Sequence, residues 1–240
     1  MKKKLISLIK FALFVVAISL IALPIYKNYI ISSNSNKYQI IKVSKEDIER
    51  NKKQKASFEW EKVKSLNAAS ISSLASLKTS NSPLPVIGGI TIPSVNLNLP
   101  IFNGVAEEAI SFGAGTLKEE QSMGIGNYSL ISHHVFGIAN ANNLLFSPLD
   151  RVENGQKIYI TDKKKVYEYQ VSDKFIVNPE QVEVVDDIEG RKVITLITCT
   201  DYQGTQRQIV RGDLIAEYYW DNMPEEAENG FNLEYNDYSV

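Results

Sequence analysis

The stretch Val193–Val210, VITLITCTDYQGTQRQIV, holds the only cysteine of the 240-residue chain, Cys199. It reads as two β-branched strands joined by a seven-residue loop, TDYQGTQ, with the cysteine closing the first strand and Arg207 opening the second. Alternation along the first strand sets Val193, Thr195, Ile197 and Cys199 on one face. If the two strands are neighbours about 4.8 Å apart, thiol and guanidinium face one space at the strand ends.

Working outward, the same texture of short β-branched and aromatic runs recurs in VIGGITIPSV, NLNLPIF, GNYSLISHH, QKIYIT, KVYEYQVSDKFIV and RQIVRGDLIAEYYW. ENGQ, TDKKK and IEGRK supply turns between them. Helical pattern is confined to pieces such as AEEAIS and NANNLLFSPL. Seven or eight strands in roughly 135 residues is the spacing of a closed barrel or a sandwich.

The N-terminal flank has a different character. Lysines precede an apolar run that, counted from Leu5, is long enough to cross a bilayer about 30 Å thick as one helix. The flanking lysines favour a cytoplasmic N-terminus, and the absence of a convincing small-residue cleavage site favours an uncleaved anchor. The following VSKEDIERNKKQKASFEWEKVKSLN reads as a solvated helical stalk with Ser44 as N-cap. AASISSLASLKTSNSPLP, 68–85, reads as a flexible linker. The expected organisation is a cytoplasmic terminus at 1–4, a membrane anchor at 5–30, stalk and linker at 31–82, a catalytic domain at 83–220 and an acidic tail at 221–240. Beyond Arg211 the chain has eight acids and no lysine or arginine, which reads as a solvated terminus. The net charge is −2 and the basic residues lie in short scattered runs, so nucleic acid is not an expected partner.

A leftover cysteine in an exported chain marks a reactive or intermolecular thiol, with a small buried residue as the structural alternative. The two histidines, His133 and His134, are adjacent at a strand end beside a glycine-containing loop, and alternation sends them to opposite faces. Cysteine, histidine and arginine meet the needs of peptide acyl transfer: a nucleophile, a proton donor for the leaving amine, and a cation at the oxyanion. With reference values near 8.5 and 6.5, roughly 1% of molecules at pH 7 hold thiolate and imidazolium together, and electrostatic pairing raises that fraction. One cysteine and two histidines leave a tetrahedral zinc set short. FGAGT and GIGNYS lack the glycines and helix of a phosphate loop.

TLITC at 195–199, SHH at 132–134 and Arg207 at its spacing resemble the motifs of class A sortases of Gram-positive bacteria, most of all the streptococcal kind. GGITIPSVNLNLPIFNG, GAGTLKEEQ and LFSPLD extend that resemblance over roughly residues 83–218. It implies an all-β domain, an eight-stranded sortase β-barrel with short helices, held outside the membrane by the N-terminal helix. It further implies cleavage of LPXTG-type signals on surface proteins between Thr and Gly, a thioacyl intermediate, and transfer to the amine of a cell-wall precursor, lipid II. By the same resemblance Cys199 is the nucleophile, His133 the acid and base, and Arg207 a contact to the signal. Thr198, Ser132 and His134 are candidates for the oxyanion or substrate site, and Val184, Val185 and Ile209 for an apolar rim holding the signal's Leu and Pro. No cofactor is required; some class A members bind calcium, for which Glu119, Glu120, Asp186 and Asp187 are the candidates. The chain has no Asp-Pro dipeptide and no second span, unlike class C members with their lid. Two other readings stay open from the residues: a cysteine peptidase without transfer, and an anchored wall-binding module in which Cys199 is core.

Overall fold

The structure is a computed structural model that describes residues 2–60, 84–136 and 141–234. Eight strands, β1 Val86–Ile92, β2 Leu97–Phe102, β3 Ala114–Thr116, β4 Asn127–Ile131, β5 Lys157–Thr161, β6 Lys165–Val177, β7 Val193–Cys199 and β8 Arg207–Tyr219, close into a barrel in the order β1-β2-β3-β4-β7-β8-β6-β5. β2 with β3 and β4 with β7 are parallel; the remaining neighbours are antiparallel. The expected strands are present, with β3 added: three small residues, AGT, too short to show a period.

The parallel pair β4 and β7 explains the texture of VITLIT. Both strands are covered on both faces, so the residues of β7 up to Thr198 are apolar or threonine throughout, as in buried parallel sheets. Their inner residues join Ile90, Leu99, Ile160 and Tyr169 in the barrel core. β6 instead alternates buried and exposed positions, because water reaches its outer side.

Three segments outside the barrel dock on it. Helix α1, Lys2–Lys37, contains a stretch, Lys3–Ala22, long and apolar enough to cross a membrane. It continues beyond the expected anchor boundary because Ile30, Ile31 and Ser35 are buried against the barrel, and Ser35 Oγ donates to Phe112 O at 2.7 Å. Helix α2, Lys45–Lys52, begins as expected, with Ser44 Oγ accepting the Asp47 N–H at 3.0 Å. The solvated-stalk reading does not hold for it. Ile48 is buried, and Asn51 Nδ2 donates to Val86 O at 2.9 Å, so one face of α2 belongs to β1. The stalk beyond Trp60, and the expected linker except its last two positions, lie outside the described residues.

Helix α3, Glu107–Phe112, follows β2, and helix α4, Glu225–Asn232, lies in the acidic tail. The solvated-terminus reading is overturned for α4. Ala227 and Phe231, spaced i,i+4, bury one face, and Asn98 Nδ2 donates to Phe231 O and Leu233 O at 3.0 and 2.7 Å. The helix's acids stay on its other side, where Glu226 accepts the Tyr159 hydroxyl at 2.9 Å. Composition alone hid this amphipathic turn.

Candidate active site

The register of three adjacent strands assembles the site. Ile131 of β4 lies beside Ile197 of β7, and Ile197 opposite Ile209 of β8; two residues further toward the rim, Cys199 lies opposite Arg207. Pairing of β4 with β7 persists past the end of β4, since Ser132 N donates to Ile197 O at 3.2 Å and Thr198 Oγ1 to Ser132 O at 2.9 Å. His133 is thereby carried to the rim beside Cys199, and the period of two keeps it on the face of Ile131. The outer face of the barrel thus bears a row of polar side chains, His133, Cys199 and Arg207, one pleat beyond an apolar row, Ile131, Ile197 and Ile209.

Burial differs within the polar row. His133 is 2% exposed and Arg207 8%, while Cys199 is half-buried at the strand end. Arg207 Nη1 donates to Gly204 O at 2.8 Å and Gln206 O at 3.3 Å, fixing its guanidinium against the 200–206 loop. That loop is folded around Asp201, which accepts the Thr205 N–H at 3.1 Å. The Thr205 hydroxyl, its strongest partner, holds the Asp201 carboxyl below the usual carboxylate range.

The other polar candidates turn away from the row. Thr198 Oγ1 is engaged by Ser132 O, so this side chain clamps β7 to the His133 segment. Ser132 Oγ donates to Gly113 O at 2.6 Å beneath α3. His134 points across the strand, as alternation requires: Nε2 is 2.8 Å from Asp150 Oδ2, and the ring stacks on Phe136 at 4.0 Å. Its hydrogen bond holds the Asp150 carboxyl below the usual range, with Lys174 and Arg151 adding to the effect. These three residues set the backbone around His133 instead of facing Cys199.

Val184, Val185 and Ile209 do share one apolar cluster with Ile131 and Ile197. Val184 and Val185 belong to a 3-10 turn, Val182–Val185, laid across the outer face. Two residues missed in the sequence hold that turn: Asn127 Nδ2 donates to Val184 O and Asp186 O at 3.1 and 3.0 Å, and Arg211 Nη2 to Val184 O at 3.0 Å. Arg211 was recognisable in retrospect, since Arg207, Ile209 and Arg211 alternate onto one face. A third, Trp60, joins the cluster from before the barrel, and no local pattern pointed to it.

The calcium candidates do not fit a cation cage. Among the described residues no three His, Cys, Asp or Glu side chains gather in ligating geometry. Lys118 Nζ lies 2.7 Å from Asp187 Oδ1, which also accepts the Asn127 N–H at 2.9 Å. Together these hold the Asp187 carboxyl below its usual range, the lysine contributing most. An ammonium thus stands where a hard cation would need open oxygens.

Comparison with known proteins places this geometry. Residues 90–215 match the Sortase domain. The chain is 45% identical to Sortase A of Streptococcus agalactiae serotype III (strain NEM316) over 93% of its own length and 90% of that protein's. It is 35% identical to Sortase A of Bacillus anthracis, over 90% and 97% of the two lengths. Among solved structures, sortase A of Listeria monocytogenes superposes with a TM-score of 0.54 at 35% identity, covering 61% of this chain and 96% of that one.

Proposed function

The chain belongs to the sortase family, and from that membership we propose that Cys199, His133 and Arg207 carry its transpeptidation of LPXTG-type sorting signals. The observation that carries the assignment is the register: Cys199 opposite Arg207, with His133 brought alongside by the continued pairing of β4 and β7.

The signal lies extended along the outer face, its apolar side chains over Ile131, Ile197 and Ile209 and its Thr–Gly bond over Cys199. Attack by the thiolate forms the S–C bond, and the developing oxyanion receives hydrogen bonds from Arg207. Collapse breaks the C–N bond, and the His133 imidazolium gives its proton to the departing glycine amine. In the second half the incoming amine attacks the thioester, neutral His133 takes the amine proton, and the thiolate leaves as the new amide forms. The half-buried position of Cys199 suits this sequence, because the thiol must meet two different amines while the deeper His133 stays shielded from bulk water.

The acceptor is the free amine of a cell-wall precursor such as lipid II, and the donors are surface proteins bearing the signal. α1 spans the membrane with its lysine-rich end in the cytoplasm, and its docked C-terminal turns seat the barrel close to the outer leaflet. Product analysis with an LPXTG peptide tests this reading. With an added oligoglycine or dialanine amine, the product is the ligated peptide; hydrolysis alone in the presence of either amine would contradict transfer.

A further inference from the structure

The groove that the sorting signal is proposed to use has a wall that the strands themselves do not supply. Val184 and Val185, clustered with Ile197 and Ile209, come from the 3-10 turn Val182–Val185, and side chains of the strands beneath tie that turn down. Two donors converge on one of its carbonyls. Asn127 of β4 donates from Nδ2 to Val184 O at 3.1 Å, and Arg211 of β8 donates from Nη2 to the same oxygen at 3.0 Å. β7 runs between these two strands, with Val193 beside Asn127 and Thr195 opposite Arg211. The Val184 carbonyl is therefore pinned over β7 from both sides, at the level of Val193 and Thr195, one pleat short of Ile197.

We propose that Arg211 is a positioning residue for the sorting signal: by holding the Val184 carbonyl it sets the apolar wall against which the signal packs. The proposal rests on the reading that the row Ile131, Ile197 and Ile209 receives the signal. The guanidinium is itself held in place, since Nε donates to Thr195 Oγ1 at 3.4 Å and the group lies 5.3 Å from the centre of the Phe175 ring. Asp213, the next residue of that face of β8, is engaged by Arg191 through Nε and Nη2 at 2.8 and 2.7 Å, which leaves Arg211 directed at the turn. A charged donor that is half-buried holds its acceptor more firmly than a neutral or exposed one. Asn127 also binds Asp186 O, at 3.0 Å, so without Arg211 the turn stays attached at its end and loses its hold from the β8 side. Val184 and Val185 then lean away from Ile197 and Ile209. Arg207 and Cys199, two pleats nearer the rim, keep their places, so binding of the signal weakens while the chemical step is retained.

The test uses the full-length chain in detergent micelles, as wild type, Arg211→Met and Arg211→Lys. Methionine keeps an apolar stem over Phe175 without a donor, and lysine keeps a cation that can reach the carbonyl; Arg211→Gln replaces the methionine variant if that one folds poorly. Hydrogen exchange reads the turn without turnover. The turn's amides, among them Asp186, whose N–H donates to Glu183 O at 3.1 Å, should exchange about tenfold faster in Arg211→Met, with the amides of β7 and β8 unchanged. For an LPXTG peptide, KM should rise about fivefold in Arg211→Met with kcat within about twofold, and Arg211→Lys should return KM to within about twofold of the wild type. Unchanged exchange in the turn overturns the proposal, and so does an unchanged KM in a variant that turns the peptide over. If none of the proteins processes the peptide, the sorting-signal reading fails, while the exchange result still decides whether Arg211 holds the turn.

Discussion

The same three strands carry two apolar rows that differ by one residue in register. Leu130, Leu196 and Val210 face inward, and Ile131, Ile197 and Ile209 face outward. Both rows are at most 4% exposed. What differs is the surroundings: the inner row belongs to the core cluster enclosed by the closed barrel, whereas the outer row belongs to a separate, smaller cluster with Val184 and Val185 of the 3-10 turn and with Trp60. Burial alone therefore does not distinguish core from binding surface; the origin of the covering atoms does.

The sharpest contrast lies where the outer row reaches the rim. Arg207→Ala should lower kcat by about 10²–10³ if the guanidinium serves the oxyanion, with the thermal midpoint little changed. A loss confined to KM would reassign Arg207 to ground-state binding of the signal.

Next come the rows themselves. Leu196→Ala opens a cavity in the core and should cost about 2–5 kcal/mol of stability, read by denaturant unfolding, with kcat/KM per folded molecule preserved. Ile209→Ala, one pleat from Arg207, should raise peptide KM roughly tenfold, equivalent to about 1.4 kcal/mol of binding. Equal effects of the two substitutions on stability and on KM would break the distinction between inner and outer rows.

Much of this could be read in the sequence, and the limits are physical. A period of two revealed seven strands, and the alternation that separates His133 from His134 followed from the same rule. β3 escaped because three small residues carry no period. The docked faces of α2 and α4 escaped because single apolar residues, Ile48 and Phe231, stand in strongly charged surroundings, where composition dominates the reading. The resemblance of TLITC pointed to Cys199 as the candidate nucleophile, yet the clamping by Thr198 and Ser132 depends on hydrogen bonds to carbonyls 66 and 19 residues away. Trp60 lies further still from the strands whose apolar cluster it joins, and no local pattern reports such a placement.

Smaller effects refine the supports of the site. Asp150→Asn removes the partner of His134 and should cost about 0.5–1 kcal/mol at neutral pH, the range of half-exposed pairs. The folded carboxyl is depressed, so its contribution is present above the ordinary value near 4 and disappears as pH falls through the lower folded value. Wild type and variant should therefore converge in stability only once the pH is below that depressed folded value, and a gap persisting there would show that Asp150 acts through packing. Smallest of all, millimolar calcium or chelator should leave the KM of the wild type unchanged, because Lys118 already holds Asp187; calcium activation of the wild type would contradict this.

The proposed transpeptidation requires Cys199 to be the nucleophile of the outward row. Its most direct test is intact-mass measurement of the full chain with an LPXTG peptide, for the wild type and Cys199→Ala. An adduct with the mass of the acyl fragment is expected on the wild type alone, discharged by an added amine. No adduct and no cleaved peptide from folded wild type, or an adduct of that mass on Cys199→Ala, would contradict it.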